Sequence, residues 1–321
     1  MEHGQVRDKI RIGASSCLLG HYVRYDGGHK LNRYVHETLG RYFDYVPVCP
    51  EVECGLPTPR EAMHLVGDPQ SPRLVTVKSG YDYTERMLRW GEEKLEELAE
   101  QDLCGFIFKS KSPSSGMERV KIYDEQGTPR QVGRGIWARM FMDRFPFLPA
   151  EEEGRLNDPG LREHFIEHVF VFWRFRQLEK QGPDINALVD FHTRHKFLLL
   201  AHNPEIYREM GRYVAQARTI PQDQLLPGYL RLLDRAIRTR TSIQKHVNVL
   251  HHLLGFFKDK LAPDEKQEFL ELVDEYRKGN LPLIVPVTLL NHFVRKYREP
   301  YLGRQYYLHP HPIELKLRNH A

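Results

Sequence analysis

The run Cys104-Gly105-Phe106-Ile107-Phe108 passes directly into Lys109-Ser110-Lys111-Ser112-Pro113-Ser114-Ser115-Gly116. A short apolar stretch stopped by serine, proline and glycine reads as a buried strand ending in a loop. Two earlier stretches have the same form. Ile10-Arg11-Ile12-Gly13 runs into Ala14-Ser15-Ser16-Cys17-Leu18-Leu19-Gly20, and residues 41–48 run into Cys49-Pro50-Glu51-Val52-Glu53-Cys54-Gly55-Leu56-Pro57-Thr58-Pro59-Arg60. Residues 84–100, with Met87, Leu88, Leu95 and Leu98 among Glu and Lys, predict a helix between the second and third strands. Strand, helix and strand in that order predict an α/β domain with a mainly parallel sheet. Ligands of such sheets bind beyond the carboxyl ends of the strands, where these three loops fall and two of them carry cysteine.

The chain has 321 residues, enough for two ordinary domains, and 40% of them are hydrophobic. No stretch approaches the ~18 apolar residues of a membrane span. The N-terminal Met1-Glu2-His3-Gly4-Gln5 begins no apolar leader, so a soluble, cytoplasmic protein is expected. Residues 1–150 balance 21 Lys and Arg against 21 Asp and Glu, whereas 151–321 hold 26 against 22. The basic excess thus lies wholly in the second half, and suggests a polyanionic partner. The domain join is expected near 146–158, with Glu151, Glu152 and Glu153 in the connecting segment and domains of 1–150 and 151–321. Beyond the join the sequence reads as all helical. Residues 164–177 carry Phe165, Phe170, Phe172, Trp173 and Phe175, read as core; 185–202 are apolar on one face; 226–261 hold one long or two shorter helices. Pro263-Asp264-Glu265 has the residues of a helix start.

Four cysteines, Cys17, Cys49, Cys54 and Cys104, are too few for a disulfide scaffold. No phosphate-loop spacing and no dinucleotide fingerprint is present. The cysteine spacing lacks the close pairs of a structural zinc site, even with His21, His29 and His64 counted. Thiols brought together from separate loops suit an iron–sulfur cluster, and three protein ligands leave one iron open to a soft atom such as sulfur. Glu51 then offers an acid/base and Ser112 a hydrogen-bond donor. The rival is a Cys17 nucleophile with His21 or His29 as base. Cys104, a strand's length before Ser115, is expected in the core.

The motifs Gly13-Ala14-Ser15-Ser16-Cys17-Leu18-Leu19-Gly20, Arg24-Tyr25-Asp26-Gly27-Gly28, Cys49-Pro50-Glu51-Val52, Gly55-Leu56-Pro57-Thr58-Pro59-Arg60 and Ser112-Pro113-Ser114-x-Gly116 resemble the thiouracil desulfidase family over about 1–145. The second half, with Leu188-Val189-Asp190-Phe191-His192-Thr193-Arg194-His195-Lys196, Leu200-Ala201-His202-Asn203 and Lys245-His246-Val247-Asn248-Val249-Leu250-His251-His252, resembles the YbgA-like helical domain. The two joined resemble the tRNA 4-thiouridine desulfidases. That resemblance implies a 4Fe-4S cluster held by three cysteines, whose open iron accepts a thiocarbonyl sulfur while water replaces it, leaving uridine and sulfide. Cys17 matches the first ligand. Cys54 matches the second, with Cys49 competing for the place. Glu51 matches the acid/base and Ser112 the serine of the site. The family usually reads Ser-Pro-Ser-Cys-Gly, and here Ser115 stands in place of that cysteine. Either Cys49 supplies the third thiolate, or Ser115 coordinates weakly, or the chain is an altered form that binds RNA without a cluster. Free 4-thiouracil or its nucleosides are the alternative substrates.

For tRNA, Arg231, Arg235, Arg238 and Lys245 recur at helical spacing and predict a basic stripe, with Arg240, His246, His251 and His252 beside it. His192, Arg194, His195 and Lys196 are expected to form an RNA-facing cluster; the alternatives are a metal site of His192, His195 and His202 or a satisfied structural pair of histidines. Tyr25, Lys111 and Lys121 are expected to contact the base or its phosphates.

Overall fold

The computed structural model describes residues 9–124, 126–182 and 184–320. The chain divides into two compact units, Met1–Leu161 and Arg162–Ala321. The first holds β1 (Ile10–Ser15), β2 (Phe43–Val48), α1 (Pro50–Glu53), β3 (Met63–Val66), β4 (Arg73–Thr76), α2 (Thr84–Ala99), β5 (Phe106–Phe108), β6 (Val120–Tyr123), β7 (Pro129–Gly133), α3 (Ile136–Arg144) and β8 (Ala150–Glu152). Strands in the order β2-β1-β5-β8 form a wholly parallel sheet. Its three expected strands all form. β1 lies in the middle, with Ile10, Ile12 and Ala14 buried, as suits a strand covered on both faces. A Cβ on Gly13 would lie 2.2 Å from the ring of the fully buried Phe106, so this position takes only glycine. Phe106, Phe108, Trp137 and Phe141 pack with Leu95 and Leu98 of α2 into one core.

A second sheet, in the order β4-β3-β6-β7, is absent from the sequence reading. Its strands are short and polar: His64, Arg73, Lys121 and Arg130 interrupt any apolar run. The predicted connecting segment is also different. Residues 150–152 form β8 beside β5, and Glu151, Glu152 and Glu153 are all buried. They belong to the first unit because each finds partners there: Arg155 for Glu151, the amides of Met117 and Glu118 for Glu152, and Lys109 and Ser110 for Glu153.

α4 (Pro159–Lys180) carries the chain into the second unit, followed by α5 (Ile185–His202), α6 (Pro204–Ala215), α7 (Gln222–Arg238), α8 (Ile243–Leu254), α9 (Pro263–Arg277), α10 (Ile284–Lys296) and α11 (Pro300–Gly303). No strand lies among its described residues. The boundaries follow the caps: the Asp184 carboxylate accepts from the amides of Asn186 and Ala187, and Pro263 opens α9. The 226–261 region splits into two helices, α7 and α8, between which Ser242 caps the second. Phe175, Leu188, Phe197, Tyr229, Leu250, Phe257 and Phe293 share one core, and Phe165, Phe170 and Phe172 are buried as expected. Among the described residues no helix is long and apolar enough to cross a membrane.

Three histidines are interior, two of them, His195 and His246, against the expectation of a surface position. His195, His202 and His246 are buried and hydrogen-bond to Phe191 O, to Glu167 and Thr239 O, and to Tyr307 respectively. His192 is half-buried against Tyr229. The RNA-facing cluster around them therefore does not form. Charge spacing alone cannot report this, because α5 has leucine or phenylalanine on several faces and its polar residues turn inward wherever a partner meets them.

Candidate functional site

β1, β2 and β5 end side by side, with Ser15 opposite Val48 and Ala14 opposite Ile107. Their three following loops enclose a cavity of about 330 Å³. Cys17, Cys49, Glu51, Ser112, Ser114 and Ser115 all line it, so the predicted convergence of the loops is present.

The loop of residues 109–116 and the two residues after it are anchored through their backbone. The amides of Lys109, Ser110, Met117 and Glu118 donate to Ser15, Glu153 and Glu152, and that of Ser115 donates to its neighbour Ser112. Its carbonyls at Pro113 and Ser114 accept the amides of Ile136 and Ala138 in the first turn of α3. With the main chain held on both sides, the serine hydroxyls are left for the cavity. Ser114 donates to Glu51 Oε1 at 2.8 Å, and Ser112 Oγ lies 3.0 Å from Ser114 Oγ. Arg60 holds the other oxygen of Glu51, donating from Nε at 3.0 Å and also from its Nη2. Sequence reasoning gave Arg60 and Ser114 no role, although both stand in the quoted motifs.

The cysteines separate. Cys17 follows β1 and is buried; Cys49 follows β2 and is half-buried; both face the cavity. Cys54, the preferred second ligand, lies off the cavity wall. α1 is a single turn, and at its end Cys54 packs with Leu56, Leu65, Leu74 and Met87 while its thiol reaches Glu51 O at 3.3 Å. Arg86 fixes this end by donating to the carbonyls of Cys54 and Gly55 at 2.6 and 2.8 Å. Ser115 is buried, and its hydroxyl has no hydrogen-bond partner among the described residues. Cys104 is buried in the core, as expected.

Burial pushes the thiols of Cys17 and Cys49 up to about 11; Lys109 and Arg24 oppose the rise at Cys17. Burial likewise raises Cys54. Raised thiols argue against the Cys17 nucleophile, which needs a lowered one. Neither candidate base serves it: His29 Nδ1 accepts from Leu31 N at 3.1 Å, and His21 is exposed away from the cavity. Among the described residues, no group of three or more His, Cys, Asp or Glu is placed to hold a single metal ion.

The cavity is cationic. Of its lining bases, Arg60 is paired with Glu51, Lys109 with Glu153 and Arg24 with Asp26. Lys30 and Lys111 are exposed on its rim with no carboxylate partner among the described residues, and Tyr25 is 44% exposed beside them. Lys121 is exposed on β6 and does not line the cavity.

The basic stripe of the second unit forms on α7, but much of its charge is neutralised. Arg235 pairs with Glu209 at 3.4 Å and Arg238 with Asp234 at 2.7 Å. Lys245 leaves the stripe and donates to the carbonyls of His202 and Arg240. Arg194 pairs with Asp190, and Lys196 lies over the Phe197 ring. Arg231 and Arg240 remain exposed without a carboxylate partner among the described residues.

Residues 12–153 match the 2-thiouracil desulfurase family, and residues 196–312 match DUF1722, a family of unknown function. YbgA of Escherichia coli (strain K12) is 31% identical over 155 residues, covering 47% of this chain and 90% of that protein. YbbK of Bacillus subtilis (strain 168) is 31% identical over 153 residues, 46% of this chain and 98% of that protein. A solved structure, described as the [4Fe-4S]-dependent thiouracil desulfidase TudS, shares 31% identity over 47% of this chain and 95% of its own, with a TM-score of 0.37. By its family match and its likeness to YbgA and YbbK, the chain belongs to the 2-thiouracil desulfurase family, its desulfurase domain joined to a DUF1722 region.

Proposed function

We propose that this protein is an iron–sulfur-dependent desulfidase that converts 4-thiouridine in tRNA to uridine, releasing sulfide. The observation that carries the reading is the cavity itself, which joins two thiols to one carboxylate, a set of serine hydroxyls and uncommitted cations. The donor set fits a cluster with Cys17 and Cys49 as thiolate ligands and the unpartnered hydroxyl of Ser115 as an oxygen ligand. Their raised thiols release protons when such a group binds. When bound, a cluster with an open iron supplies a Lewis acid for the soft thiocarbonyl sulfur.

The chain's own residues supply the rest. Among the described residues Glu51 is the lone carboxylate on the cavity wall, and it is held in place by Arg60, which suits it to take the proton of an attacking water. A free thiobase carries no phosphate for Lys30 and Lys111 to meet, whereas a nucleotide within a strand brings phosphates on both sides of the base. Tyr25 offers an adjoining ring for stacking. These rim residues favour the polynucleotide over the free base. Arg231 and Arg240 add exposed positive charge on the second unit.

The test is anaerobic reconstitution with iron and sulfide, followed by loss of the near-ultraviolet thiocarbonyl absorbance from tRNA and, in parallel, from free 4-thiouridine and 4-thiouracil. Faster turnover of tRNA is expected, with a salt dependence whose slope falls by roughly 1–2 when Lys30 and Lys111 are both replaced by alanine. Equal rates on the free base with no salt dependence refute the tRNA reading. A protein that binds tRNA but takes up no cluster supports the alternative, an RNA-binding chain without desulfidase activity, which Ser115 in the cysteine position favours.

A further inference from the structure

The functional reading uses Glu51 and Ser112 and leaves Ser114 without work, although it is 1% exposed and stands between them. Its hydrogen bonds can run in one direction only. Glu51 as a carboxylate has only acceptors, so the 2.8 Å contact from Ser114 Oγ to Oε1 consumes the Ser114 proton. With that proton committed, the 3.0 Å contact between the two hydroxyls requires Ser112 to donate and Ser114 to accept. The amide of Ser115 donates to Ser112 Oγ at 3.1 Å, so Ser112 keeps one lone pair facing the cavity. Arg60, on Glu51 Oε2, keeps the carboxylate turned toward the serines. Ile136 and Ala138 of α3 hold the Pro113 and Ser114 carbonyls, which fixes both serines on a rigid backbone.

We infer that Ser114 is a proton relay: it acts through Ser112, carrying a proton from the cavity to Glu51. This rests on the desulfidase reading. Water adds its oxygen to the thiocarbonyl carbon as one of its protons passes to Ser112 Oγ. The Ser112 proton moves to Ser114 Oγ, and the Ser114 proton to Glu51 Oε1. The C–S bond then breaks as the new C=O forms; the second water proton leaves with sulfur as hydrosulfide, the first remains on Ser112, and the proton passed from Ser114 is held on Glu51 until it exchanges with solvent. Water plus thiocarbonyl becomes carbonyl plus hydrosulfide plus one proton, with no oxidant or reductant. The arrangement also explains why Glu51 need not touch the reacting water. Charge separation is carried by hydroxyls already aligned, so the step needs no side-chain rearrangement.

The experiment uses the reconstituted full chain. Ser114→Ala is expected to lower kcat by roughly 10²-fold or more while leaving KM within about threefold. In wild type, the solvent isotope effect should show a curved proton inventory from several protons in flight; in Ser114→Ala it should become linear. Ser112→Ala combined with Ser114→Ala should be no worse than either alone, because both break one chain. Multiplying losses, an unchanged kcat, or a change confined to KM overturns the relay. Equal iron content in wild type and Ser114→Ala separates these effects from cluster loss. Wild-type protein that loads a cluster yet desulfurises nothing sinks the functional reading instead. The relay is then decided by neutron diffraction of the wild type, where a deuteron on Ser114 directed at Glu51 upholds it and one directed at Ser112 refutes it.

Discussion

Replacing Gly135 with alanine tests how tightly the catalytic loop is seated. Gly135 precedes α3 at φ −61° and ψ 146°, a conformation open to any residue, so the substitution brings no backbone strain. By itself, the loss of chain entropy in the unfolded state stabilises a Gly→Ala variant by about 0.4–1 kcal/mol. Against this, a Cβ on Gly135 would lie 2.3 Å from Ser114 O, 2.4 Å from its carbonyl carbon and 2.8 Å from Ser115 N. All three are main-chain atoms whose partners on α3, Ser112 and Glu51 resist movement. Overpacking of this kind costs about 1–3 kcal/mol, so the steric term wins and a net loss of roughly 1–2 kcal/mol is expected. That corresponds to a fall in Tm of roughly 2–8 °C for a unit of this size. Displacing Ser112 and Ser114 by even ~1 Å should also cut turnover by about 10²-fold. Gly211, in α6 with nothing within 4 Å of its would-be Cβ, is the control. Gly211→Ala should raise stability by about 0.5–1 kcal/mol. Calorimetry and the thiocarbonyl absorbance assay read both. A Gly135→Ala protein that melts and turns over like wild type would show that the loop is not clamped against α3.

Other outcomes follow from the same geometry. Iron content after reconstitution should collapse in Cys17→Ala and Cys49→Ala but persist in Cys54→Ala; loss in the last alone would return Cys54 to the ligand set. Ser115→Cys should slow iron release to a chelator, because thiolate is the softer donor; an unchanged or faster release removes Ser115 from the cluster. Arg60→Ala should lower kcat more than it raises KM, since it frees the carboxylate that Arg60 orients; a pure KM effect counts against that role. Burial pushes His164, His192 and His311 down to about 4 and His246 to about 3. Between those values and the ordinary 6.5 the unfolded chain binds more protons than the folded one, so stability falls as pH drops below about 6.5. Denaturant titration from pH 7 to pH 5 should show that fall; a flat profile contradicts it.

Much of this was legible from the sequence because the signals were local. Apolar runs ended by Gly, Pro or Ser mark β1, β2 and β5, the apolar face of 185–202 marks α5, and Pro263 marks the start of α9. What failed was decided by partners distant in sequence. Glu151, Glu152 and Glu153 look like a solvated linker until Lys109, Met117 and Arg155 are beside them. His195 and His246 look like surface base until other helices or the chain beyond them cover them. Cys54 was preferred to Cys49 on alignment, but one turn of α1 turns its thiol into an apolar cluster and leaves Cys49 on the cavity. The helix face of an arginine is readable, and so is a partner one turn away such as Asp234; whether it meets Glu209 of another helix is not.

The loop that carries Ser112, Ser114 and Ser115 keeps its shape through main-chain contacts to Glu152, Glu153 and α3, and its conformation does not draw on the Ser115 side chain. Position 115 is therefore a socket whose occupant sets the chemistry of the site without setting its architecture. A thiol or a hydroxyl can be exchanged there by a single atom, so the hardness of the donor and the hold on iron become adjustable on an unaltered scaffold.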